Sequence, residues 1–536
     1  MLLIAAAWAI DVPDTSSLRV ACDAAQDGDT IRITADLTDN DECTLTTRVH
    51  ITTDGGTYAV DRIFYMTGSE GSTLTQVVIG RWPDSQITVE GGAVEATDLV
   101  FEGDGEANLV WMDGGTLSID GFTASGLHDP LIYAEPNSAN IDITLQNGTV
   151  TNAVAGVVKA ANFSTDELSI VTRLSDVDVS DVSQAAGGES GMVVNAYLGE
   201  QRFEIQGGTF ENLDTGALKL GAGTDGESIT AEIVGTRFED NASETGGAIE
   251  ADQYTDLSVI SSTFVGNSAT AGGAIYALGP ASISDSRFCA NTALGQAAHL
   301  FLVNDTLSVK YTVFQFGLGL TGIRSVGDGQ SWVNNSFVAH NEGAMLEASG
   351  GTITLTNNLF FENTQAADIG AASEGSGWNA WIANDANGNG LDALFAAGND
   401  YLDWTDPGFE SDPAENCEWW PSLAEDSVLI DAGDPASTDP AGGPADIGAM
   451  PFIEPVDTGD SGDSAVTETG ETGDSDTGET DMPDSGTPEG PVRVDWLGGG
   501  CSGCRGGAAA LLPLLLLSPL LRRPRPGLPR SSDGCR

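Results

Sequence analysis

Side chains that carry oxygen atoms alternate along one segment of the chain, near residue 390. Asp385, Asn387 and Asn389 stand at every second position, and Asp392 follows shortly after them. Carboxylate and amide oxygens spaced around glycines suit calcium, although the twelfth position, which usually supplies a bidentate glutamate, is Ala396. Asn-Gly pairs also form ordinary turns. The segment therefore predicts either a calcium site or a plain turn, and we expect no other cofactor.

Cysteine and histidine are sparse, with seven and four copies in 536 residues. None of the cysteines has the spacing of a zinc site with histidines. Cys22 and Cys43 are candidates for a disulfide, whereas Cys289 and Cys417 are either paired or simply buried. The Cys501-Ser-Gly-Cys504 segment has redox-type spacing but lacks the βαβ context of a thiol oxidoreductase.

Catalytic residues do not stand out. A polysaccharide lyase needs a base such as lysine or arginine beside acidic residues, and a glycoside hydrolase needs two suitably separated carboxylates. The chain has three lysines (Lys159, Lys219 and Lys310), and its acidic residues are spread evenly. The formal net charge of −60 also argues against a nucleic-acid partner, which requires clustered lysine and arginine. We therefore predict no catalytic residue and no nucleic-acid binding.

A repeated phrase indicates the elements that position these residues. Phe238-Glu-Asp-Asn241 precedes Gly246-Gly-Ala-Ile249, and Phe264-Val-Gly-Asn267 precedes Gly272-Gly-Ala-Ile275. The phenylalanine then recurs at a similar spacing along the middle of the chain. A nearly fixed short period is the signature of a repeat architecture. The predicted structural repeat residues are Phe210, Asn212, Phe238, Asn241, Phe264, Asn267, Phe288, Asn291, Phe314, Phe337, Asn341, Phe360 and Asn363.

Each repeat shows apolar residues at every second position, separated by glycine, asparagine and aspartate. This pattern indicates short strands with one buried face, joined by turns. Units of two or three strands without crossover helices predict an all-β fold, a single-stranded parallel β-helix or solenoid. We expect each phenylalanine to stack on the next coil and each asparagine to bond its counterpart at a turn. The glycine pair would provide positive φ or close packing.

The two phrases resemble the repeats of the polymorphic outer membrane protein type. The resemblance covers about residues 205–370 and implies a right-handed parallel β-helix exposed on a cell surface. Upstream coils are looser, and valine often replaces the phenylalanine. No autotransporter barrel of that family is recognised, so the family's secretion route is not implied.

Both ends of the solenoid have recognisable sequences. Residues 15–35 resemble the N-terminal cap of many bacterial β-helices, and residues 400–453 resemble the closing segment of surface-anchored β-helix proteins. One domain is therefore predicted over residues 15–453. Residues 1–9 are apolar and end in Ala7-Trp-Ala9, which predicts a short signal peptide; an ordinary first strand is the alternative.

The C-terminal region changes composition. Residues 454–497 are acidic and predict a disordered linker. Residues 498–536 combine cysteines, a short apolar helix and an arginine cluster, which resembles a myxobacterial-type sorting signal. That resemblance implies processing and anchoring at Cys501 or Cys504; a retained membrane anchor is the alternative. Membrane contact is expected through this segment only.

These observations predict an exported protein at the cell surface or outer membrane, or released after processing, with an adhesive or structural role. The expected partners are glycans or cell-surface molecules. Five tryptophans between residues 378 and 420 provide either a carbohydrate platform or the packing of a cap. The alternative function is a polysaccharide-active lyase or hydrolase on the same scaffold.

Overall fold

The computed structural model describes most of the chain between residues 9 and 448. The segments outside the description are 1–8, 14–16, 38–41, 61, 82–85, 104–108, 138, 155, 162–167, 184–193, 198–199, 222–227, 304, 374, 387, 392–399, 403, 411–416, 418–420, 440–442 and 449–536. The chain divides into a unit of residues 1–456 and a unit of residues 457–536. The predicted linker, the predicted sorting signal with Cys501 and Cys504, and residues 1–8 of the predicted signal peptide lie outside the described residues.

The predicted parallel β-solenoid is confirmed, with about 14 turns. Alternation of buried and exposed residues gives each strand one inward side, and strands pair in parallel with their counterparts one coil away. Each coil contributes to three faces. The first and second faces belong to one 26-stranded sheet, and the third face is a separate 15-stranded sheet.

The first-face strands are Ala9–Val12, Asp29–Ile33, Val49–Thr53, Ser72–Thr75, Glu200–Gln206, Ile229–Val234, Thr255–Ile260, Ala281–Ser284, Leu307–Lys310, Gln330–Asn334, Thr352–Thr356 and Ala372–Ser373. Four longer strands bend through both the first and the second face: Ala93–Glu102, Gly115–Ser125, Ile141–Thr151 and Ser169–Val182. The remaining second-face strands are Tyr58–Ala59, Val77–Ile79, Thr209–Leu213, Arg237–Glu239, Thr263–Val265, Arg287–Cys289, Val313–Gln315, Phe337–Ala339, Leu359–Phe361 and Ala380–Ile382.

The third-face strands are Glu42–Leu45, Arg62–Met66, Gln86–Glu90, Val110–Met112, Ile132–Ala134, Val158–Ala161, Val194–Tyr197, Leu218–Gly221, Ile249–Ala251, Ile275–Ala277, Ala297–Val303, Thr321–Val326, Ala344–Ser349, Gln365–Ile369 and Gly388–Asn389. Ser268–Ala269 and Thr292–Ala293 form a short extra pair. Within the described part of the chain, no helix has the length and apolar character needed to cross a membrane.

Phenylalanine rings stack inside the second face. The rings of Phe264 and Phe288 lie 4.5 Å apart and nearly parallel, and the stack runs without a break from Phe210 to Phe314. Phe337 does not continue it, because Phe314 pairs with Val338 instead. The interior column resumes at Phe360, which stacks on Trp381 at 4.2 Å. The sequence-based placement of Phe337 in this column is therefore corrected.

Asparagines form a buried ladder at the corner that follows the second face. The amide Nδ2 of Asn241 donates to Oδ1 of Asn267 (2.9 Å), and Asn267 donates to Asn291 in the same way (3.0 Å). Each Nδ2 also donates to a backbone carbonyl of the preceding coil, as Asn267 does to Phe238. Asn212 lies outside this ladder: it is exposed, with a φ of +56°, and Leu213 occupies the ladder position.

The ladder crosses a coil that has glycine in place of asparagine. At Gly317 the buried His299 fills the space: its Nδ1 lies 3.1 Å from Asn291 Nδ2 and its Nε2 lies 3.1 Å from Asn341 Oδ1. A Cβ atom at Gly317 would stand 2.6 Å from His299 Nε2. Beyond this point Asn341, Asn363 and Asn384 continue the ladder at 3.0 Å per bond. The histidine therefore replaces one asparagine rung.

The glycine pair of the repeat has two separate roles. Gly246 and Gly272 adopt positive φ (+58° and +63°). Gly247 and Gly273 instead allow close approach of the next coil, since a Cβ atom at either position would meet a backbone oxygen at 2.1 Å. Only glycine fits the first position without strain and the second without a clash.

The N-terminal end is capped by a helix. Leu18–Ala24 is helical, and Ser17 caps it by accepting a hydrogen bond from the Val20 amide. Cys22 in this helix forms a disulfide with Cys43 on the first third-face strand. The strand Ala9–Val12 pairs with Asp29–Ile33, so paired backbone begins before the predicted boundary at residue 15.

The closing segment, described over parts of residues 400–448, packs along the outside of the second face. Leu423, Leu429 and Ile447 are buried against outward-facing side chains of the last coils, including Phe337 and Phe361. A disulfide joins Cys417 to Cys289, which lies two coils before Phe337. The outward position of Phe337 is explained by this contact, because the segment covers an apolar stripe there.

Candidate binding face

One column of outward-facing side chains runs along the third face. In the strand triplets Val110–Met112, Ile132–Ala134 and Ile275–Ala277 the two outer residues are buried and the middle residue points outward. Parallel pairing places the middle residues of successive coils in register. The column contains Phe64, Thr88, Trp111, Tyr133, Lys159, Lys219, Glu250, Tyr276, Phe301, Arg324, Glu347, Asp368 and Asn389, and the register between Lys159 and Lys219 passes through the strand Val194–Tyr197.

Two aromatic rings and a cation form the first block of this column: Trp111, Tyr133 and Lys159. The rings of Trp111 and Tyr133 stack at 4.7 Å with an angle of 21° between their planes. The Lys159 ammonium lies 5.8 Å from the centre of the Tyr133 ring, within the range of a cation–π contact. The Tyr133 hydroxyl donates to Glu135 at 3.1 Å. All three side chains are half-buried, so each still presents surface to solvent.

A second block repeats the same order: Tyr276, Phe301 and Arg324. The rings of Tyr276 and Phe301 meet edge to face at 5.4 Å, and the Arg324 guanidinium lies 5.4 Å from the centre of the Phe301 ring. Arg324 also pairs with Glu347 (3.1 Å) and donates to Gln296 (2.9 Å). Phe301 is 7% exposed, so Tyr276, which is half-buried, is the accessible ring of this block.

Polar and charged residues separate the two blocks. Lys219 lies 3.7 Å from Glu250, which also accepts a hydrogen bond from the Thr245 hydroxyl at 2.9 Å. Burial raises the pKa of Tyr276, and the negative charge of Glu250 adds to that effect. Tyr276 therefore stays a neutral hydrogen-bond donor and acceptor at physiological pH.

The chemistry of the column suits a neutral, hydroxyl-rich ligand. Half-exposed aromatic rings offer apolar faces, while the adjacent carboxylate, amide and guanidinium groups accept and donate hydrogen bonds. The cations Lys219 and Arg324 are already opposed by carboxylates. The net charge of −60 over the whole chain repels polyanions. A polyanionic ligand is therefore disfavoured at this face.

The predicted calcium residues fall at the C-terminal end of the described solenoid. Asp385 and Asn389 are exposed, whereas Asn387 and Asp392 lie outside the described residues. Oδ1 of the neighbouring Asn384 is engaged by the backbone and side-chain amides of Asn363. Over the described ranges, no group of three or more His, Cys, Asp or Glu side chains is placed to hold a metal ion.

The tryptophans of residues 378–420 lie in different surroundings. Trp381 is 2% exposed inside the solenoid, Trp404 packs with the closing segment and stacks on Tyr401, and Trp378 is half-buried. Trp419 and Trp420 lie outside the described residues. A second aromatic surface lies on the third face, where the sequence did not predict one. Its signal was the repeated triplet Ile-Tyr-Ala at 132–134 and 275–277, which places tyrosine between two inward residues.

No family model, no curated protein and no solved structure matches this chain.

Proposed function

We propose that the protein is a non-catalytic adhesive solenoid that binds neutral polysaccharide through the third face. The observation that carries this proposal is the outward column in which Trp111, Tyr133 and Tyr276 stand in register on a rigid sheet. Sites on strands hold side chains at fixed spacing, which suits a ligand with repeating units.

Export from the cytoplasm is part of the proposal. Two disulfides, Cys22–Cys43 and Cys289–Cys417, support it, because structural disulfides persist in oxidising compartments. The resemblance of the repeats to those of the polymorphic outer membrane protein type also supports a surface location. The acidic stretch 454–497 would then act as a stalk.

We further propose that residues 498–536 act as a sorting signal that is cleaved near Cys501 or Cys504. Intact-mass analysis of the mature protein, combined with membrane fractionation, is expected to show a chain that ends at one of these cysteines and lies in the outer membrane fraction. A mass that includes the arginine-rich end of the sequence would contradict cleavage and favour the retained anchor.

Binding is tested with an array of neutral and acidic glycans, probed with the full-length chain. We expect binding to neutral polysaccharides, and we expect Trp111→Ala to weaken it at least about tenfold, which corresponds to about 1.4 kcal/mol. The reason is that the substitution removes an aromatic ring on which an apolar sugar face packs. Dissociation constants for the array hits are measured by titration calorimetry.

Trp332 provides the matched control, since it is a half-buried tryptophan that points outward on the first face. Trp332→Ala should leave the affinity unchanged; equal losses in both variants would contradict a third-face site. The array is repeated with EDTA and with added calcium, because Asp385, Asn387, Asn389 and Asp392 remain the calcium candidates. Shortening of a bound polysaccharide during incubation would favour the enzyme alternative over adhesion.

A further inference from the structure

We infer that the third face carries two subsites with the same order of chemical groups and that a single linear, neutral polysaccharide chain bridges them. This inference rests on the proposed function. It adds the length of the ligand and the number of subsites that one ligand chain contacts. The first subsite is the block Trp111, Tyr133 and Lys159, and the second is the block Tyr276, Phe301 and Arg324.

The two blocks have the same order of side-chain types along the solenoid. In each block, aromatic side chains occupy two successive coils and a cation occupies the third. In each, the cation lies against the second ring, at 5.8 Å for Lys159 over Tyr133 and 5.4 Å for Arg324 over Phe301. The ring geometry differs, because Trp111 and Tyr133 stack whereas Tyr276 and Phe301 meet edge to face. The order of groups is nevertheless repeated.

A carboxylate accompanies each block. Glu135 accepts the hydrogen bond of the Tyr133 hydroxyl, and Glu347 pairs with Arg324. Each block therefore combines an aromatic face with a planar acceptor that can take hydrogen bonds from sugar hydroxyls. This combination of groups repeats, which argues for the same ligand unit at both places.

The separation of the blocks sets the length of the ligand. Six successive strand pairings lead from Tyr133 to Phe301 in the same register. At about 4.8 Å per parallel pairing, the blocks lie about 29 Å apart along the solenoid. A tetrasaccharide is shorter than this distance, whereas a polysaccharide chain extends across it.

The part of the column between the blocks lets a hydrated chain pass. Lys219 and Glu250 form an ion pair there, with side chains 35% and 28% exposed, and the described column side chains between Tyr133 and Tyr276 carry no ring. Because one chain would occupy both subsites, the second contact forms at high effective concentration and raises the overall affinity.

The test compares linear glucan, mannan, galactan and xylan with the tetrasaccharide of each, using titration calorimetry on the full-length chain. We expect two tetrasaccharides per protein chain and a polysaccharide affinity about 10²-fold tighter than that of the tetrasaccharide. Trp111→Ala with Tyr133→Ala should leave one tetrasaccharide per chain and abolish the gain for the polysaccharide. Tyr276→Ala with Arg324→Gln should do the same at the other block.

The outcomes separate this inference from the proposed function. One tetrasaccharide per wild-type chain, or a polysaccharide affinity that survives removal of either block, would overturn the two-subsite inference while glycan binding stands. Failure of all four neutral polysaccharides to bind would overturn both. Circular dichroism of each double variant shows whether the solenoid is intact, and Trp332→Ala again serves as the unaffected control.

Discussion

Replacing Asn267 with alanine is expected to lower the free energy of unfolding by about 3–6 kcal/mol, because it leaves several buried polar groups without partners. Asn267 Oδ1 accepts hydrogen bonds from the backbone and side-chain amides of Asn241 (3.1 and 2.9 Å). Its Nδ2 donates to the Phe238 carbonyl (3.1 Å) and to Asn291 Oδ1 (3.0 Å). The residue has no exposed surface, so bulk water does not reach these groups in the native structure.

Equilibrium unfolding in urea, followed by circular dichroism and by tryptophan fluorescence, measures this loss. Solenoids can unfold in parts, so the two signals are compared before a single free energy is assigned. Asn389→Ala is the control, because Asn389 is exposed on the last third-face strand and its loss should change stability by less than about 0.5 kcal/mol. Similar losses at Asn267 and Asn389 would show that the ladder does not contribute to stability.

The ladder illustrates what the sequence could predict. Phenylalanine and asparagine recur at the coil period, and the alternation of apolar residues without helical segments favours a parallel β-solenoid among repeat architectures, so fold class and stacking follow from the two patterns together. The register of the strand that contains Phe337 did not follow from the spacing of the phenylalanines. The true counterpart of Phe314 is Val338, the residue directly after Phe337. An error of a single position exchanges the two sides of a strand, and it moves Phe337 from the interior to the outer surface.

The outer surface was less predictable than the interior. Outward residues need not resemble one another from coil to coil, so the third-face column mixes tryptophan, tyrosine, lysine and glutamate and does not recur at the period of the phenylalanines. Its alignment depends on coils of unequal length, since the coil that leads from Lys159 to Asn195 is longer than the coil that leads from Tyr133 to Lys159. The path of the closing segment could not be predicted either, because it brings together residues far apart in sequence, such as Cys289 and Cys417.

His299 was missed for a related reason: a lone histidine carries no period. Its role depends on Gly317, which leaves a gap in the ladder one coil later. The two hydrogen-bond partners of His299 in this gap fix the tautomer of the neutral imidazole. Asn341 Oδ1 accepts, so His299 Nε2 carries the proton, and His299 Nδ1 faces the donating Nδ2 of Asn291. A second proton on Nδ1 would point at that donor.

Protonation of His299 is therefore expected to make the solenoid less stable at acidic pH. Burial lowers the pKa of His299 from 6.5 to about 4, although the hydrogen bond to Asn341 opposes this shift. The unfolded chain binds the proton below pH 6.5 and the folded chain only near pH 4. Stability is thus highest above pH 6.5 and falls as the pH drops towards 4, by about 3 kcal/mol from this group.

The variant His299→Gln isolates this contribution, because glutamine can donate and accept at the same corner but does not titrate. The free energies of unfolding of the wild type and the variant are measured between pH 4 and 7.5, and their difference is plotted against pH. Other groups cancel in that difference. One of them is Asp439, where burial raises the pKa to about 6. The stability that this protonated carboxyl contributes to the folded state is lost as the pH rises from 3.8 towards 6. The wild type should lose about 3 kcal/mol relative to the variant as the pH falls from 7 to 4; a difference that is constant with pH would show that His299 does not titrate in this window.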